Sequence, residues 1–484
     1  MALQFIDTIA GAGDTAKAGG DKINANTVAL ARRTGRPAPV HCVFDGDSKF
    51  AEIKTGLQWL VCFEGLDVGL AGGELGVGGS NTGTGPGNLL SPARLTTAQE
   101  LLSAHSAAGH IVDYYLTIGT NDTSAGMLPA TTLANIRKFH EQYLRPQSCV
   151  RFLILVSVDP RGPGPVASAS QIHTINRLYD EYALANPFDV LFIDTTGVLL
   201  DPALANVNGY PIPFDKTAVP MPVGAVTDDG LHCSNHGAYL KRFAAMPLRD
   251  LYRRKPGRSL SRALVAAGPK GTGANMVGAD GRIVAGTGAN TLTNGGTGAV
   301  TGLPPAGSTL AGAIDGTLGV AFSASTTLVG TDGGLIPKGA WPSVRVTFSG
   351  TSGPNTSGLR FTWTAFPDAT IKPGDVVTAG ALMNFNALSG LLGLDVRANN
   401  PGAVGGLQLG GNAVGAVSPL AQAIVSPLNG PLLMEGEDLS AISAQNAFFL
   451  TLGVYLPPNT AISGSVDLLA IFAERIGPIP PPTP

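Results

Sequence analysis

The stretch "PVHCVFDGDSKFAEIKTGLQWL", residues 39–60, decides the fold of the first half of the chain. Its first part, "PVHCVF", is a short apolar run of the kind that forms a buried strand. After "DGDS", apolar residues recur at helical spacing: Phe50, Ile53, Leu57 and Leu60. A strand that ends at Phe44 and a helix that begins near Lys49 predict the first unit of a parallel α/β sheet.

The same alternation of apolar runs and amphipathic stretches continues to about residue 254. Three further runs are typical of buried strands: "HIVDYYLTIG" at 110–119, "VRFLILVSV" at 150–158 and "FDVLFIDTTGVLL" at 188–200. A helical pattern follows "VASASQ" at 166–171. Residues 39–255 are therefore predicted to form one α/β domain.

The rest of the chain has a different character. Residues 1–38 are polar and Gly-rich and predict an arm, and residues 256–308 are dominated by Gly, Ala, Thr and Asn. This second stretch is predicted to be a connector, or a thin β structure completed by neighbouring chains. From 309 to 484, runs such as "GLRFTWTAF" alternate with a period of two, which predicts an antiparallel β-sandwich, jelly-roll-like, for carbohydrate binding or oligomerisation.

Composition narrows the function classes. The chain has 484 residues, 65 Gly, 36 Pro and only 13% charged residues, which favours several domains with much β structure. A net charge of -3 with 31 scattered Lys and Arg argues against binding to nucleic acid or to an anionic membrane. No apolar run is long enough for membrane insertion, and the N-terminus lacks a signal-peptide pattern, so we expect a soluble protein not exported by that route.

The four cysteines are far apart and form no Cys-x-x-Cys pair: Cys42, Cys62, Cys149 and Cys233. We expect buried free thiols. The string "HCSNH" at 232–236 suggests zinc, but a structural site usually needs a second ligand pair, and none is evident. We therefore expect no metal and no cofactor.

Ser48 lies at the predicted turn between strand and helix, which is a suitable place for a nucleophile. A serine needs a base and a group that orients the base. The string "DDGLHCSNHG" at 228–237 supplies both within one segment, with Asp229 three residues before His232. His232 is predicted to accept the Ser48 proton, and Asp229 to hold the imidazole tautomer.

Acyl transfer also needs donors for the oxyanion. Asn121, in "TIGTND", follows the end of a predicted strand, so its side-chain amide is well placed. In "GVGGSNT", at 76–82, a glycine allows a backbone N–H to approach the same oxygen. The predicted donors are Ser48, Gly79 and Asn121, with Gly78 as the alternative to Gly79.

Together these four segments resemble the signature blocks of the SGNH (GDSL-type) hydrolases over residues 39–254. The matches are "GDS", the glycine block, "GTND" and "DGLH", in that order at strand ends. The resemblance implies a flavodoxin-like three-layer fold and ester hydrolysis, often deacetylation of carbohydrates. Lys49, directly after the serine, departs from the family pattern.

A competing interpretation starts from the same stretch. "VFDGDS" also resembles the first motif of haloacid-dehalogenase-type phosphatases, which would make Asp45 the nucleophile and Asp47 the acid and base. Asp228 and Asp229 would then bind Mg²⁺. That scheme leaves Asn121 and His232 without a role. On the serine interpretation Asp45 and Asp47 are turn residues and Asp122 caps a helix. The remaining histidines are expected to be structural: His41, His105, His110, His140, His173 and His236.

The N-terminal string "GDTAKAGGDKINAN", at 13–26, resembles an N-terminal segment of bacteriophage tail fibres and tailspikes. This resemblance implies a homotrimeric virion protein attached through its arm to a tail or baseplate protein, whose esterase removes acetyl groups from a bacterial surface polysaccharide. Two alternatives stay open: a secreted polysaccharide esterase with a carbohydrate-binding module, and a receptor-binding protein with a vestigial hydrolase domain. Trp341 or Trp363 would stack on a sugar ring, although Trp363 fits a core position better.

Overall fold

The computed structural model describes residues 40–70, 73–160, 166–199, 226–227, 231–252, 283, 286–331, 334–336, 338–363, 375–400, 407–414, 423–435, 439–440 and 449–478. The predicted arm of residues 1–38 lies outside these residues, as do Asp228, Asp229 and residues 256–282 of the predicted connector.

Four parallel strands form the sheet of the first half of the chain, in the order β1, β2, β3, β4. Their bounds are β1 Val40–Gly46, β2 Ile111–Thr117, β3 Val150–Val156 and β4 Val190–Ile193. β2, β3 and β4 each lie within the apolar run that predicted them, and β1 overlaps its run. β1 extends two residues beyond the predicted end at Phe44, because Asp45 and Gly46 still pair with β2.

The segment that follows the first helix lies on the other side of β1. Its backbone hydrogen bonds run from Phe44 N to the Gly73 carbonyl (2.6 Å), from Leu75 N to the Phe44 carbonyl (2.8 Å) and from Val77 N to the Gly46 carbonyl (3.1 Å). The bridges at this edge are parallel. Counting this segment, the second strand of the chain lies outside the first, which is the flavodoxin-like order.

Helices cover both faces of this sheet. Their bounds are α1 Phe50–Glu64, α2 Pro92–Ala108, α3 Thr120–Ser124, α4 Pro129–Phe139, α5 Val166–Ala185 and α6 Asn235–Ala244. A π-helical turn at His140–Leu144 and 3-10 turns at Thr196–Val198 and Met246–Asp250 complete the helical elements described.

Alternate residues of each strand face different helices. Phe44 of β1 lies in the same buried cluster as Ile53 of α1, whereas its neighbour Val43 lies in another buried cluster with Ile136 of α4 and Ile175 of α5. The first half is therefore a three-layer α/β unit, and its strands are continuously apolar because both faces are covered. None of the helices in the ranges given above is both long and apolar enough to span a membrane.

Residues 289–478 contain two mixed sheets. The strand bounds are β5 Ala289–Asn290, β6 Thr293–Asn294, β7 Val300–Thr301, β8 Ser308–Ile314, β9 Gly319–Gly330, β10 Gly339–Thr351, β11 Gly358–Trp363, β12 Asp375–Ser389, β13 Gly393–Asn400, β14 Leu407–Val414, β15 Leu428–Glu435, β16 Leu439–Ser440, β17 Phe449–Tyr455 and β18 Ala461–Pro478. One sheet has the order β15-β12-β18-β10-β9-β7, with β16 beside β12. The other has the order β14-β13-β17-β11-β8-β5, with β6 beside β8.

The two sheets share one core. Phe322 and Val346 of the first sheet lie in the same buried cluster as Phe361 and Leu452 of the second. In β11 the predicted alternation is present, since Leu359, Phe361 and Trp363 are buried and Arg360 is exposed. In β11 this alternation turns the apolar side chains toward the shared core.

The tryptophans of this region are buried. Trp363 belongs to the core between the sheets, as its alternating position predicted. Trp341 is also fully buried, in a smaller cluster with Leu382 and Phe472. The suggestion that either ring stacks on a sugar is therefore wrong.

Part of the predicted connector pairs with strands of its own chain. β5 and β6 run parallel to β8, and β7 runs parallel to β9. A Cβ on Gly296 would lie 2.1 Å from the Gly316 carbonyl oxygen, and a Cβ on Gly298 would lie 2.0 Å from that of Leu318. Glycine at these positions thus allows the two backbones to approach more closely than any side chain would permit.

The α/β unit contacts the two sheets through α1 and α6. Trp59 of α1 and Tyr239 of α6 belong to the same buried cluster as the core between the sheets. Asn235 donates from Nδ2 to the Leu392 carbonyl at 3.0 Å, and its side chain is buried. The outer faces of these two helices are therefore covered by apolar and polar contacts.

Candidate active site

Ser48 lies on a tight turn between β1 and α1. Gly46 has a φ of +140°, and a Cβ there would lie 1.9 Å from the Thr117 carbonyl oxygen at the end of β2. Asp47 N donates to the same oxygen at 3.0 Å. Because only glycine fits at position 46, the chain leaves the sheet directly beside β2 and presents Ser48 at the carboxyl edge, half-buried.

Ser48 and His232 are in direct contact. Ser48 Oγ lies 2.7 Å from His232 Nε2, although 184 positions separate the two residues. When Nε2 accepts this hydrogen bond, the ring proton is on Nδ1, which leaves Nδ1 as a donor for an orienting group. Asp229 lies outside the described residues, so its orienting role stays a prediction.

Asn121 and the glycine block lie next to the turn that carries Ser48. Asn121, in the first turn of α3, donates from Nδ2 to the Ser80 carbonyl at 3.0 Å. Ser80 Oγ donates to the Gly46 carbonyl at 3.0 Å, and Val77 N donates to the same carbonyl. The structure therefore brings the Ser48 turn, the glycine block and Asn121 together, and the contact between Ser48 and His232 adds the fourth predicted segment.

Gly78 and Gly79 occupy the exposed part of this loop. Gly79 has a φ of +78°, and a Cβ built on either glycine would meet no atom within 4 Å. The loop is thus open to solvent at both glycines. The assignment of Gly79 rather than Gly78 as a donor stays a prediction.

Asp122 holds the far end of this loop. Its carboxylate accepts hydrogen bonds from Thr82 N (3.2 Å) and from Thr132 Oγ1 (3.1 Å), and it also binds Thr82 Oγ1. Burial raises the pKa of Asp122, against the lowering effect of the Thr82 and Thr132 hydrogen bonds. The expected capping role is wrong: Asp122 lies inside α3 and ties the glycine loop to α3 and α4.

Asp45 belongs to a buried ion pair. Its Oδ1 accepts from Arg94 Nε at 3.1 Å and from Gly46 N at 2.7 Å, and it also binds Arg94 Nη2. Its Oδ2 accepts from the Tyr114 hydroxyl. Asp45 has no exposed surface and lies within β1, so the prediction of a turn residue is wrong. The same contacts leave no carboxylate oxygen for the nucleophilic role of the phosphatase scheme.

Asp47 is a buried turn residue, as the serine interpretation predicted. Its Oδ1 accepts from Lys49 N at 3.0 Å, and its Oδ2 has no hydrogen-bond partner in the described part of the chain. Burial raises the pKa of Asp47 to about 6, against the lowering effect of the Lys49 amide. The charged carboxylate next to Ser48 therefore destabilises the folded protein at neutral pH.

Four charged side chains form a buried cluster beneath Ser48, which we call the charge cluster: Lys49, Glu52, Asp159 and Lys241. Lys241 Nζ lies 2.7 Å from Asp159 Oδ2 and 3.0 Å from Glu52 Oε2, and Lys49 Nζ lies 3.6 Å from Asp159 Oδ2. Burial alone would raise the pKa of Asp159, but the ammonium groups of Lys241 and Lys49 lower it to about 2. Two cations and two anions thus balance within the interior.

The charge cluster anchors the backbone on both sides of His232. Lys49 Nζ donates to the Leu231 carbonyl, and Cys233 N donates to Glu52 Oε1 at 2.8 Å. This arrangement was not predicted from the sequence. Its only signal was Lys49 itself, the departure from the family pattern, together with Glu52 one turn of helix later.

The possible metal ligands near Ser48 have other partners. Glu52, Asp159 and Cys233 offer ligand atoms within 4.8 Å of one another, but Lys241 Nζ already binds both carboxylates. His232 faces Ser48, while Cys233 Sγ lies 4.0 Å from Asp159 Oδ2. All four cysteines are free thiols; Cys233 is half-buried and the other three are buried, as expected for them.

The known proteins that this chain matches are all solved structures. No protein-family model and no curated protein matches the chain. Similar solved structures include a GDSL-like lipase from Bacteroides thetaiotaomicron, with 16% identity over 48% of this chain and 97% of that chain and a TM-score of 0.30. A catalytic mutant of an acetylxylan esterase from Geobacillus stearothermophilus has 14% identity over 44% of this chain and 94% of that chain, with a TM-score of 0.30.

A carbohydrate esterase of family 3 from Talaromyces cellulolyticus has 16% identity over 44% of this chain and 97% of that chain, with a TM-score of 0.27. These neighbours are GDSL-type and carbohydrate esterases, and each covers about half of this chain. Sequence identities and TM-scores this low do not show which reaction this chain catalyses. That question depends on the contacts of Ser48 and His232.

Proposed function

We propose that the protein is a serine carboxylic ester hydrolase in which Ser48 is the nucleophile and His232 the general base. The observation that carries this proposal is the distance of 2.7 Å between Ser48 Oγ and His232 Nε2 on a half-buried turn at the carboxyl edge of the sheet. A serine within hydrogen-bond reach of an imidazole is the arrangement that nucleophilic catalysis requires.

In the first step Ser48 Oγ bonds to the ester carbonyl carbon while its proton passes to His232 Nε2. The tetrahedral intermediate collapses, the bond to the alcohol oxygen breaks, and the imidazolium gives its proton to that oxygen. The products of this step are the free alcohol and an acyl group on Ser48. We assign to Asp229 the stabilisation of the imidazolium.

In the second step water attacks the acyl carbon and its proton passes to His232 Nε2. The bond from the acyl carbon to Ser48 Oγ then breaks, and Oγ recovers a proton from the imidazolium. The carboxylic acid is released, so one ester and one water give one alcohol and one acid. No metal and no cofactor takes part in this scheme.

The negative oxygen of each intermediate is stabilised by three donors: the backbone N–H of Ser48, the N–H of Gly79 and the Asn121 amide. The positions of the glycine loop and of α3 support this assignment, because Asn121, Ser80 and Gly46 are joined by hydrogen bonds. Such donors act without reorganisation because the loop is fixed before the substrate arrives.

We further propose that the substrate is an O-acetylated bacterial surface polysaccharide and that the protein is a virion component of a bacteriophage tail, active at the bacterial surface. This rests on the resemblance of residues 13–26 to tail-fibre segments and of the four blocks to SGNH hydrolases. The arm of residues 1–38 would bind a tail or baseplate protein. The two sheets would form a jelly-roll-like sandwich for carbohydrate binding or for assembly into a homotrimer.

Hydrolysis of p-nitrophenyl acetate by the purified protein tests the chemistry. Ser48→Ala should abolish turnover, and addition of Mg²⁺ or EDTA should change nothing. Asp45→Asn is the matched control: it leaves buried Arg94 without its anion, so it should lower the melting temperature but leave the folded enzyme active. Full activity of Ser48→Ala, or a strict requirement for Mg²⁺, would contradict the serine mechanism and favour the phosphatase alternative.

Two measurements test the finer proposals. Acetate release from defined O-acetylated bacterial polysaccharides should identify a substrate, whereas no release from any of them would reduce the proposal to a general esterase.

The mass of the full chain in solution should correspond to three copies, and a monomer would refute the trimer. A monomeric, active enzyme would favour the secreted esterase alternative.

A further inference from the structure

We propose that His41, His105 and His110 form a binding site for a divalent transition-metal ion such as Zn²⁺. The three imidazoles meet at the amino-terminal edge of the parallel sheet, and their ligand nitrogens all lie within 4.8 Å of one another. This site is separate from Ser48, which lies at the opposite end of β1, roughly 15–20 Å away along the strand.

Three elements bring the rings together. His41 is the second residue of β1, and His105 lies in the last turn of α2. The helix ends at Gly109, whose φ of +68° reverses the chain so that His110 N donates to the His105 carbonyl at 2.9 Å. The string "HSAAGH" therefore places two histidines on one side of a helix end, facing the start of β1.

The pair His105 and His110 already has the spacing of a chelate. Their Nδ1 atoms are 3.0 Å apart. Two nitrogens bound to one ion at about 2.0–2.1 Å lie roughly 2.9–3.4 Å apart for square-planar to tetrahedral angles. A metal ion that replaces the shared proton between the two rings therefore needs little movement of either side chain.

The His41 ring is close enough to His105 and His110 to supply a third ligand. The His41 ring stacks on His110 with 3.9 Å between ring centroids, and its centroid lies 5.4 Å from that of His105. One nitrogen of His41 lies within 4.8 Å of a nitrogen on each of the other two rings. Each of the three residues is half-buried, so an ion and a water ligand can reach the site from solvent.

The ligand set suits a transition-metal ion. Neutral imidazole is the form that binds metal, and it is the commonest metal ligand in proteins. Near Ser48, by contrast, Lys241 Nζ occupies the space between the carboxylates of Glu52 and Asp159.

Calorimetric titration of the full chain with Zn²⁺, in a non-chelating buffer and without a polyhistidine tag, tests the proposal. We expect one ion per chain. Loss of an outer-shell partner alone costs about 10- to 100-fold in affinity, so loss of a ligand in His105→Ala or His110→Gln should weaken binding by more than about tenfold. Circular dichroism checks that both variants are folded, and the two variants together guard against a folding defect in one of them.

His173→Ala and His232→Ala are the matched controls, since His173 is exposed on α5 and His232 contacts Ser48. Both controls should bind Zn²⁺ as the parent does. The proposal is overturned if the parent binds no Zn²⁺, if both His105→Ala and His110→Gln bind as tightly as the parent, or if His232→Ala alone abolishes binding.

Discussion

At the scale of single residues, the site depends on side chains that lie far apart in sequence and meet at the carboxyl edge of one sheet. Ser48 contacts His232, and Asn121 contacts the glycine loop that covers Gly46. These residues could be predicted because each follows a recognisable strand end, and parallel strands share that edge. Asp45 could not be predicted correctly, since its partner Arg94 lies 49 positions away on α2.

Replacement of Asn121 tests the oxyanion assignment. Asn121→Ala should lower kcat for p-nitrophenyl acetate by about 10²–10³ with little change in KM, because the lost donor acts on the transition state. Steady-state kinetics measures this effect. Asn135→Ala is the matched control, because Asn135 Nδ2 donates to Thr82 of the same loop at 3.1 Å but supplies no donor at Ser48. Equal losses in the two variants would show that Asn121 only supports the loop.

Replacement of Asp47 tests the electrostatics beside the nucleophile. The pKa of Asp47 is about 6 in the folded protein and about 4 in an unfolded chain, so stability falls as pH rises through this window. Asp47→Asn keeps an acceptor for Lys49 N and removes the buried charge. It should raise the free energy of unfolding by about 1–3 kcal/mol at pH 7.5 and by only about 0.5 kcal/mol near pH 4.

Urea denaturation of parent and variant at the two pH values measures this difference. Asp194→Asn is the matched control, because Asp194 also accepts from the amide two residues later, Thr196 N at 2.8 Å, but is exposed. A gain for Asp47→Asn that is the same at both pH values would contradict the assignment.

At the scale of elements, α1 has two functions. It begins directly after the turn that carries Ser48, and the buried polar residues Lys49, at its N-cap, and Glu52, in its first turn, hold the segment that carries His232. The helix could be predicted from its apolar spacing, and it begins at Phe50, one residue after the predicted start near Lys49. The charge cluster could not, because Asp159 follows β3 and Lys241 lies on α6, and nothing local in the sequence pairs them.

Lys49→Met tests the charge cluster. It leaves the two buried carboxylates with Lys241 as their only cation of the cluster and should reduce the free energy of unfolding by about 3–5 kcal/mol. It also removes the hydrogen bond from Lys49 Nζ to the Leu231 carbonyl, so kcat should fall while KM changes little. Lys54→Met, on the helix that follows Lys49, is the matched control, since Lys54 pairs with the exposed Glu74 and such pairs are worth about 0–1 kcal/mol. Similar effects of the two substitutions on stability and kcat would contradict the anchoring role.

At the scale of the whole molecule, the two halves share buried surface. Trp59 and Tyr239 of the α/β unit lie in the core cluster of the two sheets, and Phe63 lies 6.3 Å from Phe385 between ring centroids. The change in composition after residue 255 predicted two kinds of structure, but not this contact. The hydrophobic periodicity and the composition of the sequence indicate which elements form in each half. They do not indicate what covers the outer faces of α1 and α6, because those contacts join residues that are far apart in the sequence.

A fragment of residues 40–255 tests the importance of this contact. Removal of the two sheets would expose Trp59 and its neighbours, and a newly exposed apolar patch favours aggregation. We expect the fragment to bind a hydrophobic dye and to melt at a lower temperature than the full chain. Thermal unfolding and light scattering measure both properties. A monodisperse fragment with the melting temperature of the full chain would show that the contact contributes nothing to stability.

The most direct test of the central claim is covalent labelling of the nucleophile. An organophosphate that forms a stable ester with activated serines should inactivate the protein, and peptide mass spectrometry should find a single adduct on Ser48. Ser48→Ala should take up no label, and His232→Ala should react far more slowly, because the base is missing. Labelling at another residue, or full esterase activity after Ser48 is labelled, would contradict the account.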